Sequence, residues 1–394
     1  MTTGGIYMST REAVELRILE DFRCGKIGRR QAAQLLGVSE RAVTRRSKKL
    51  RVKGIAGIKH GNTGNAPVNR RPEEERVSAL EVLQKTYFDF NLKHAWENLR
   101  DKHGFQACYS TFHGWCRASG IAHRRRRRTS EARLRRERMA NEGLMLQMDG
   151  SHHAWNGRDK WCLIGLIDDA TSDIPAARFF ETETTAGCMA VLREVIERRG
   201  IPWIIYTDKA GWAGGSEKRQ SFPQFVRACE ELGIRVITTS SAEAKGRIER
   251  AWRTCQDRLV PEFRLHGITS MLDGNRYLNQ VFLPEYWRVQ NTVVPRDEAS
   301  RYRPAPKHLD LDQIFCTKHW RTVRSDNTVS FENRCYRILD TEMGSLRQKD
   351  VAIHIYADGS HAWYFGNIRL NTEKVRKPIR RWAANDSSIS IWRR

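Results

Sequence analysis

The sequence predicts a multidomain α+β protein with helix-turn-helix units at the N-terminus, a central α/β core on a mixed five-stranded sheet, and a small β-barrel near the C-terminus. Three observations predict it. Apolar residues recur at helical spacing from Thr10 to Leu50, apolar strands alternate with amphipathic helices between Leu144 and Leu259, and short alternating segments separated by turns fill residues 322–365. With 394 residues the chain has room for several domains.

The N-terminal helices come first. Val14, Leu16, Ile18, Leu19 and Phe22 line one helix, Ala32, Ala33, Leu35 and Leu36 a second, and Val43 and Leu50 a third. Ala33 is small enough for a close helix crossing, Gly37 permits a sharp turn, and Ser39 is placed to cap the third helix. That helix would present Arg41, Thr44, Arg45 and Lys48 outward, side chains that reach phosphates and base edges in a major groove. Residues 54–73, rich in Gly, Asn, Pro and basic residues, read as a linker. A second helical unit follows, with Val77, Leu80, Leu83 and Tyr87 on one helix and Ala95, Trp96 and Leu99 on the next. Its last helix is expected to open at Ser110 on a hydroxyl cap and to carry Phe112 and Trp115 as anchors. From Arg124 to Arg138 nine arginines face two glutamates, a density suited to lying along phosphates, with Arg125, Arg126 and Arg127 the expected DNA contacts.

Charge agrees with a polyanionic partner. The chain carries 69 Lys+Arg against 46 Asp+Glu, a formal net charge of +23. It contains no apolar run of the roughly 18 residues needed to span a bilayer, and its first residues lack the apolar stretch of a signal peptide, so no membrane association is expected. Its nine cysteines include no C-x-x-C pair, which disfavours a disulfide framework or a zinc ribbon. His94, His103, Cys108, His113 and Cys116 match no common zinc spacing.

The central third carries the chemistry. Leu144 to Met148 predicts a buried strand ending on Asp149. Trp161 to Ile167 and Ile174 to Phe180 predict a hairpin beside it, turned at Asp168-Asp169, where aspartate commonly serves backbone hydrogen bonding. An amphipathic helix from Ala186 to Arg199 leads to Trp203-Ile-Ile-Tyr-Thr207, a strand ending on Asp208. A helix over Phe222–Leu232, a strand over Arg235–Thr239 and a helix opening near Ala244 complete the order, and Glu249 projects beside that last helix's apolar stripe of Ile248, Trp252, Cys255 and Leu259. Glu243, just before the helix, is the fallback for Glu249. Lys245, Arg247, Arg250 and Arg253 surround Glu249 and are expected to hold phosphates. Three carboxylates on two strand tips and a helix suit two divalent cations. Mg²⁺ prefers such oxygens, and a metal pair about 4 Å apart activates the attacking oxygen and stabilises the leaving one in phosphodiester cleavage.

The motifs Gln147-Met-Asp-Gly150, Leu166-Ile-Asp-Asp-Ala-Thr171, Tyr206-Thr-Asp208 and Lys245-Gly-Arg-Ile-Glu-Arg-Ala251 resemble those of DDE-type insertion-sequence transposases with a retroviral-integrase-like, RNase H-like catalytic core. The resemblance implies that Asp149, Asp208 and Glu249 form a catalytic triad binding two Mg²⁺, with Mn²⁺ able to substitute. It further implies double-stranded DNA as substrate, both transposon ends and target, a homodimer or higher oligomer on DNA, and a cytoplasmic, nucleoid-associated setting in a prokaryotic cell. The sequence departs from the family pattern at Lys209-Ala-Gly211, where relatives place a small polar pair such as Asn-Gly directly after the second aspartate.

Beyond the core, 266–310 reads as a helical spacer, and Thr322–Arg324, Thr328–Phe331, Cys335–Leu339, Val351–Tyr356 and His361–Phe365 as five short strands of a barrel. The implied boundaries are 1–53 (helix-turn-helix), 54–73 (linker), 74–123 (second helical unit), 124–142 (basic linker), 143–265 (catalytic core), 266–310 (spacer), 311–372 (barrel) and 373–394 (basic tail). Two other readings use part of the same sequence. A DNA-binding regulator derived from a transposase would not need three acids, and an RNase H-like structure-specific nuclease would not need tandem readers.

Overall fold

The architecture is that of a computed structural model, which describes residues 8–59, 70–121, 136–208, 224–239, 246–339 and 344–376. The chain divides into two compact units, Met1–Val77 and Ser78–Arg394.

In the first unit α1 (Thr10–Arg23) opens with a capping box, in which Ser9 Oγ accepts from the Glu12 amide while the Glu12 carboxylate accepts from the Ser9 amide. α2 (Arg29–Leu36) ends at Gly37, whose φ of +63° is the left-handed conformation that a glycine adopts without strain. Ser39 Oγ then accepts from the Ala42 amide at 3.3 Å and starts α3 (Glu40–Lys53). Leu19, Ala32, Ala33, Val43 and Leu50 form the buried centre.

In the second unit, α4 (Glu73–Lys85, from Ser78 onward), α5 (Leu92–His103) and α6 (Tyr109–Ala118) close around Tyr87, Ala95, Leu99, Phe105, Phe112 and Cys116. α6 starts one residue earlier than its sequence predicts. Its N-cap is Cys108, which makes no capping bond to the backbone and instead lies with Sγ against the hydroxyls of Ser110 and Thr111.

The core sheet comprises β1 (Met145–His153), β2 (Trp161–Asp168), β3 (Ala176–Phe180), β4 (Ile204–Asp208) and β5 (Arg235–Thr239) in the order β3-β2-β1-β4-β5. β1 is antiparallel to β2 and parallel to β4, giving the mixed five-stranded sheet that the sequence predicts. Both faces are covered, which is why β2 is apolar nearly throughout and wholly buried. On one face Leu146, Met148, Ile164 and Ile205 pack against α7 (Thr185–Arg199) and α8 (Gln224–Glu231). On the other, Leu163, Ile167 and Phe179 pack against Ile248, Trp252, Cys255 and Leu259 of α9 (Gly246–Leu265). α10 (Met271–Tyr277) and a wider π-type helical segment, Leu278–Trp287, extend that layer. The α4–α6 group docks on α9 through the buried pair His94–Glu262, and Arg258 reaches Glu97 at 2.7 Å. Burial alone would raise the Glu262 carboxyl, but the hydrogen bond and charge of His94 overcome it and hold Glu262 down at about 2.

The C-terminal part corrects the sequence expectation. Seven strands, not five, are described: β6 (Thr317–Thr322), β7 (Thr328–Phe331), β8 (Arg334–Ile338), β9 (Asp350–Ile355), β10 (His361–Phe365), β11 (Ile368–Leu370) and β12 (Thr372–Val375). Among the described residues they form a four-stranded sheet, β11-β10-β9-β6, and a three-stranded sheet, β12-β8-β7, and no closed barrel. Val329, Tyr336, Val351, Ile353 and Trp363 fill the space between the two sheets. Among the described residues, no helix is long and apolar enough to cross a membrane.

Candidate active site

The strand register brings the two predicted aspartates together. β1 and β4 pair in parallel as far as Gln147–Tyr206. Asp149 and Asp208 each lie two residues further along, so the alternation of strand side chains sends both to one face, on strands about 4.8 Å apart where they are paired. Past this row β1 continues with β2 as far as His153, and β4 with β5 as far as Asp208. The two strands thus part company at their carboxyl ends, where sheets of this type form a crevice. Asp149 and Asp208 are both half-buried there. One thiol reports on both. Cys188 is raised above the usual thiol range, chiefly by burial and then by the charges of Glu183, Cys162, Asp208 and Asp149.

Helix α9 lies over the same face. The Ile248 amide donates to Gln147 Oε1 at 3.4 Å, and Gln256 Nε2 donates to Ser151 Oγ at 3.0 Å. Eight helical residues rise about 12 Å and four strand residues about 13 Å, so α9 runs beside β1 in the same direction. Close approach is possible because Asp149 pairs across β1–β2 with Gly165. A Cβ at Gly165 would stand 2.7 Å from Trp252 Cη2, so only glycine admits the indole beside Asp149.

Glu249 is exposed, one turn before Trp252. Arg247, expected to face DNA, instead turns inward and bonds the buried Asp169 at 2.7 Å. Each helical residue advances about 100°, so Glu249 leaves α9 about 200° from Arg247, on the opposite flank. Arg250 and Arg253 are exposed, and Arg250 Nε bonds the Gly246 carbonyl at 2.8 Å. In the first unit Arg41, Thr44, Arg45 and Lys48 are all exposed along α3, while Arg46 between them pairs with Glu15 of α1 at 2.8 Å. Arg125, Arg126, Arg127, Lys245, the fallback Glu243 and the Lys209-Ala-Gly211 loop lie outside the described residues.

Two features escape sequence reasoning. Glu183, just before α7, lies against Gly150, where an added Cβ would meet its Cδ at 2.7 Å. Burial first, then the charges of Glu183 and Asp149, push the neighbouring Cys162 thiol up to about 12. No local pattern marks Glu183, since its approach depends on the β3–α7 connection. The second feature is the set of partners around Asp169, which are Arg136, Met139, Gln147 and Arg247.

The donor set near the crevice consists of carboxylate oxygens, the hard ligands that Mg²⁺ or Mn²⁺ takes. Among the described residues, no three His, Cys, Asp or Glu side chains stand close enough together to hold a metal ion. The two aspartates therefore fit such an ion in kind and in sheet position.

No family model matches the sequence. The chain is 32% identical over 366 residues to a putative transposase, y4bF, of Sinorhizobium fredii, covering 90% of this chain and 79% of the relative. It is 28% identical over 374 residues to the transposase for insertion sequence IS1202 of Streptococcus pneumoniae, covering 84% of this chain and 79% of that one. Among solved structures, a simian T-cell lymphotropic virus intasome in complex with a PP2A regulatory subunit is similar over 76% of this chain and all of its own, at 15% identity and a TM-score of 0.34. The magnesium-bound HTLV-2 integrase catalytic core is similar over 36% of this chain and 88% of its own, at 19% identity and a TM-score of 0.29. Since the first of these relatives is matched along most of both chains, the protein belongs to the transposases, polynucleotidyl transferases that act on DNA.

Proposed function

We propose that Asp149, Asp208 and Glu249 are the catalytic carboxylates of this transposase, acting on double-stranded DNA at transposon ends and then at a target. The observation that carries this reading is the shared register and face of Asp149 and Asp208 at the point where β1 and β4 separate, with α9, the helix that bears Glu249, running along β1 on that face. Asp149, on the central strand of the sheet, would hold divalent metal together with Asp208 and Glu249. When bound, Mg²⁺ supplies a lowered pKa for the attacking water or 3′-hydroxyl and charge neutralisation at the leaving oxygen.

The chain's own residues do the rest. Trp252 and the β2 wall exclude water from one side of Asp149. Arg250 and Arg253, exposed on α9 next to Glu249, are placed to hold the phosphates that flank the scissile bond. The exposed face of α3, with Arg41, Thr44, Arg45 and Lys48, is read as a helix-turn-helix recognition surface for the ends, and the arginine-rich segment with Arg125, Arg126 and Arg127 as a backbone contact. Two transposon ends imply a dimer or larger assembly on DNA.

The test is cleavage of DNA carrying the element's ends in Mg²⁺ by the wild type and by Asp149→Asn, Asp208→Asn and Glu249→Gln. Each variant is expected to bind the ends and fail to cut. Cutting by any one of them removes that residue from the triad.

A further inference from the structure

The motif Leu166-Ile-Asp-Asp-Ala-Thr171 is not used by the chemistry above, yet its second aspartate accepts four hydrogen bonds from residues distant in sequence. Asp169 is wholly buried. Its Oδ1 accepts from Arg136, from Arg247 Nη1 at 2.7 Å and from Gln147 Nε2 at 2.9 Å, and its Oδ2 accepts from the Met139 amide at 2.9 Å. Asp168 is different in kind. It closes its own turn, accepting from the Ala170 and Thr171 amides at 2.9 Å and from the Gly143 amide at 2.8 Å.

The partners of Asp169 converge on the first turn of α9. Arg247 is the second residue of that helix, and Gln147, held by Asp169 through its amide nitrogen, offers its oxygen to the Ile248 amide. That amide is among the first four of the helix, which have no partner inside it. Residues on both sides of Glu249 in space are therefore held: Arg247 and Ile248 by the Asp169 cluster, Trp252 by Gly165. Glu249 itself is exposed. Arg136 also belongs to the arginine-rich segment, and its carbonyl accepts from Arg247 Nη2 at 3.0 Å.

We propose that Asp169 is a positioning residue for the reaction, clamping the first turn of α9 through Arg247 and Gln147 so that Glu249 stands at the crevice holding Asp149 and Asp208. The proposal rests on the reading of Glu249 as catalytic. Partners one step removed from metal-binding side chains are typically worth about 10–100-fold in activity or metal affinity, which sets the size of the expected effect.

The test uses the full chain in three variants, Asp169→Asn, Arg247→Gln and Glu249→Gln, with two readouts. Hydrogen exchange on metal-free protein follows the amides of 246–252, and single-turnover cleavage of end DNA is titrated with Mg²⁺. For Arg247→Gln and Asp169→Asn the expected result is faster exchange confined to 246–252, cleavage reduced about 10–100-fold, a Mg²⁺ midpoint moved to higher concentration, and unchanged end binding. Glu249→Gln is expected to abolish cleavage while leaving exchange slow. If Asp169→Asn does not fold, Arg247→Gln carries the test alone. Wild-type exchange, or wild-type cleavage and Mg²⁺ midpoint, in folded Arg247→Gln overturns the clamp. Cleavage by Glu249→Gln overturns the triad instead, so the two failures are distinguishable.

Discussion

The open end of the β1–β2 hairpin and the middle of β1 treat carboxylates in opposite ways. At the turn after β2, Asp168 and Asp169 are buried and saturated by amides and guanidinium groups, and burial raises the pKa of Asp168 against its hydrogen bonds from Gly143 and Thr171. In the middle of β1, Asp149 is half-buried, two residues past the last β1–β4 pair, as is Asp208 on β4. Acids that look alike in the sequence thus divide into an enclosed pair and the half-buried pair proposed above to be reactive. A carboxylate enclosed by donors on both oxygens has little lone-pair capacity left for a cation.

The largest effect that can break this contrast comes from neutralising the reactive pair. Asp149→Asn or Asp208→Asn should lower single-turnover cleavage by on the order of 10³-fold or more while leaving thermal unfolding close to wild type. A variant that loses its fold instead would place Asp149 with the structural acids. Gly165→Ala comes next. The added methyl meets Trp252 Cη2 at 2.7 Å and Ala177 Cβ at 2.9 Å, so α9 must move off the sheet. Overpacking of this kind costs about 1–3 kcal/mol, read as a lowered denaturant midpoint, and cleavage should fall with it because Glu249 rides on the same helix.

A third prediction separates the site from the C-terminal sheets. Burial, then the charges of Lys318 and Arg227, hold His354 down at about 4, below its ordinary 6.5. The unfolded chain therefore binds a proton that the folded chain refuses between these values, and stability is lost as pH falls from about 6.5 to about 4. Denaturant midpoints at pH 7 and pH 4.5 should differ less in His354→Gln than in wild type. An identical difference in both would contradict the assignment. The smallest effect belongs to the exposed face of α3. Arg45→Ala should weaken end binding and reduce the slope of log affinity against log salt by about 1, with the cleavage rate of bound complex unchanged.

How legible these regions were in the sequence follows from how local their causes are. The core strands and helices were readable because β1, β2 and α9 carry long apolar patterns and both aspartates end such runs. The face shared by Asp149 and Asp208 follows from strand alternation once the sheet order is known. The inward turn of Arg247 was not readable, because a basic residue beside a catalytic helix looks the same whether its partner is a phosphate or a buried aspartate distant in sequence. The C-terminal strands failed for another reason. Ile368–Leu370 and Thr372–Val375 are too short and too exposed to show a period, and sheet closure depends on pairings between distant segments.

The most direct test of the central claim is metal-specific rescue. Asp208→Cys replaces a hard oxygen ligand by a softer thiolate, which binds Mg²⁺ poorly and Mn²⁺ better. Single-turnover cleavage of end DNA by this variant should be lost in Mg²⁺ and restored in part by Mn²⁺, relative to wild type in each metal. Full cleavage in Mg²⁺, or equal loss in both metals by a folded, DNA-binding variant, would contradict the placement of Asp208 at the reacting centre.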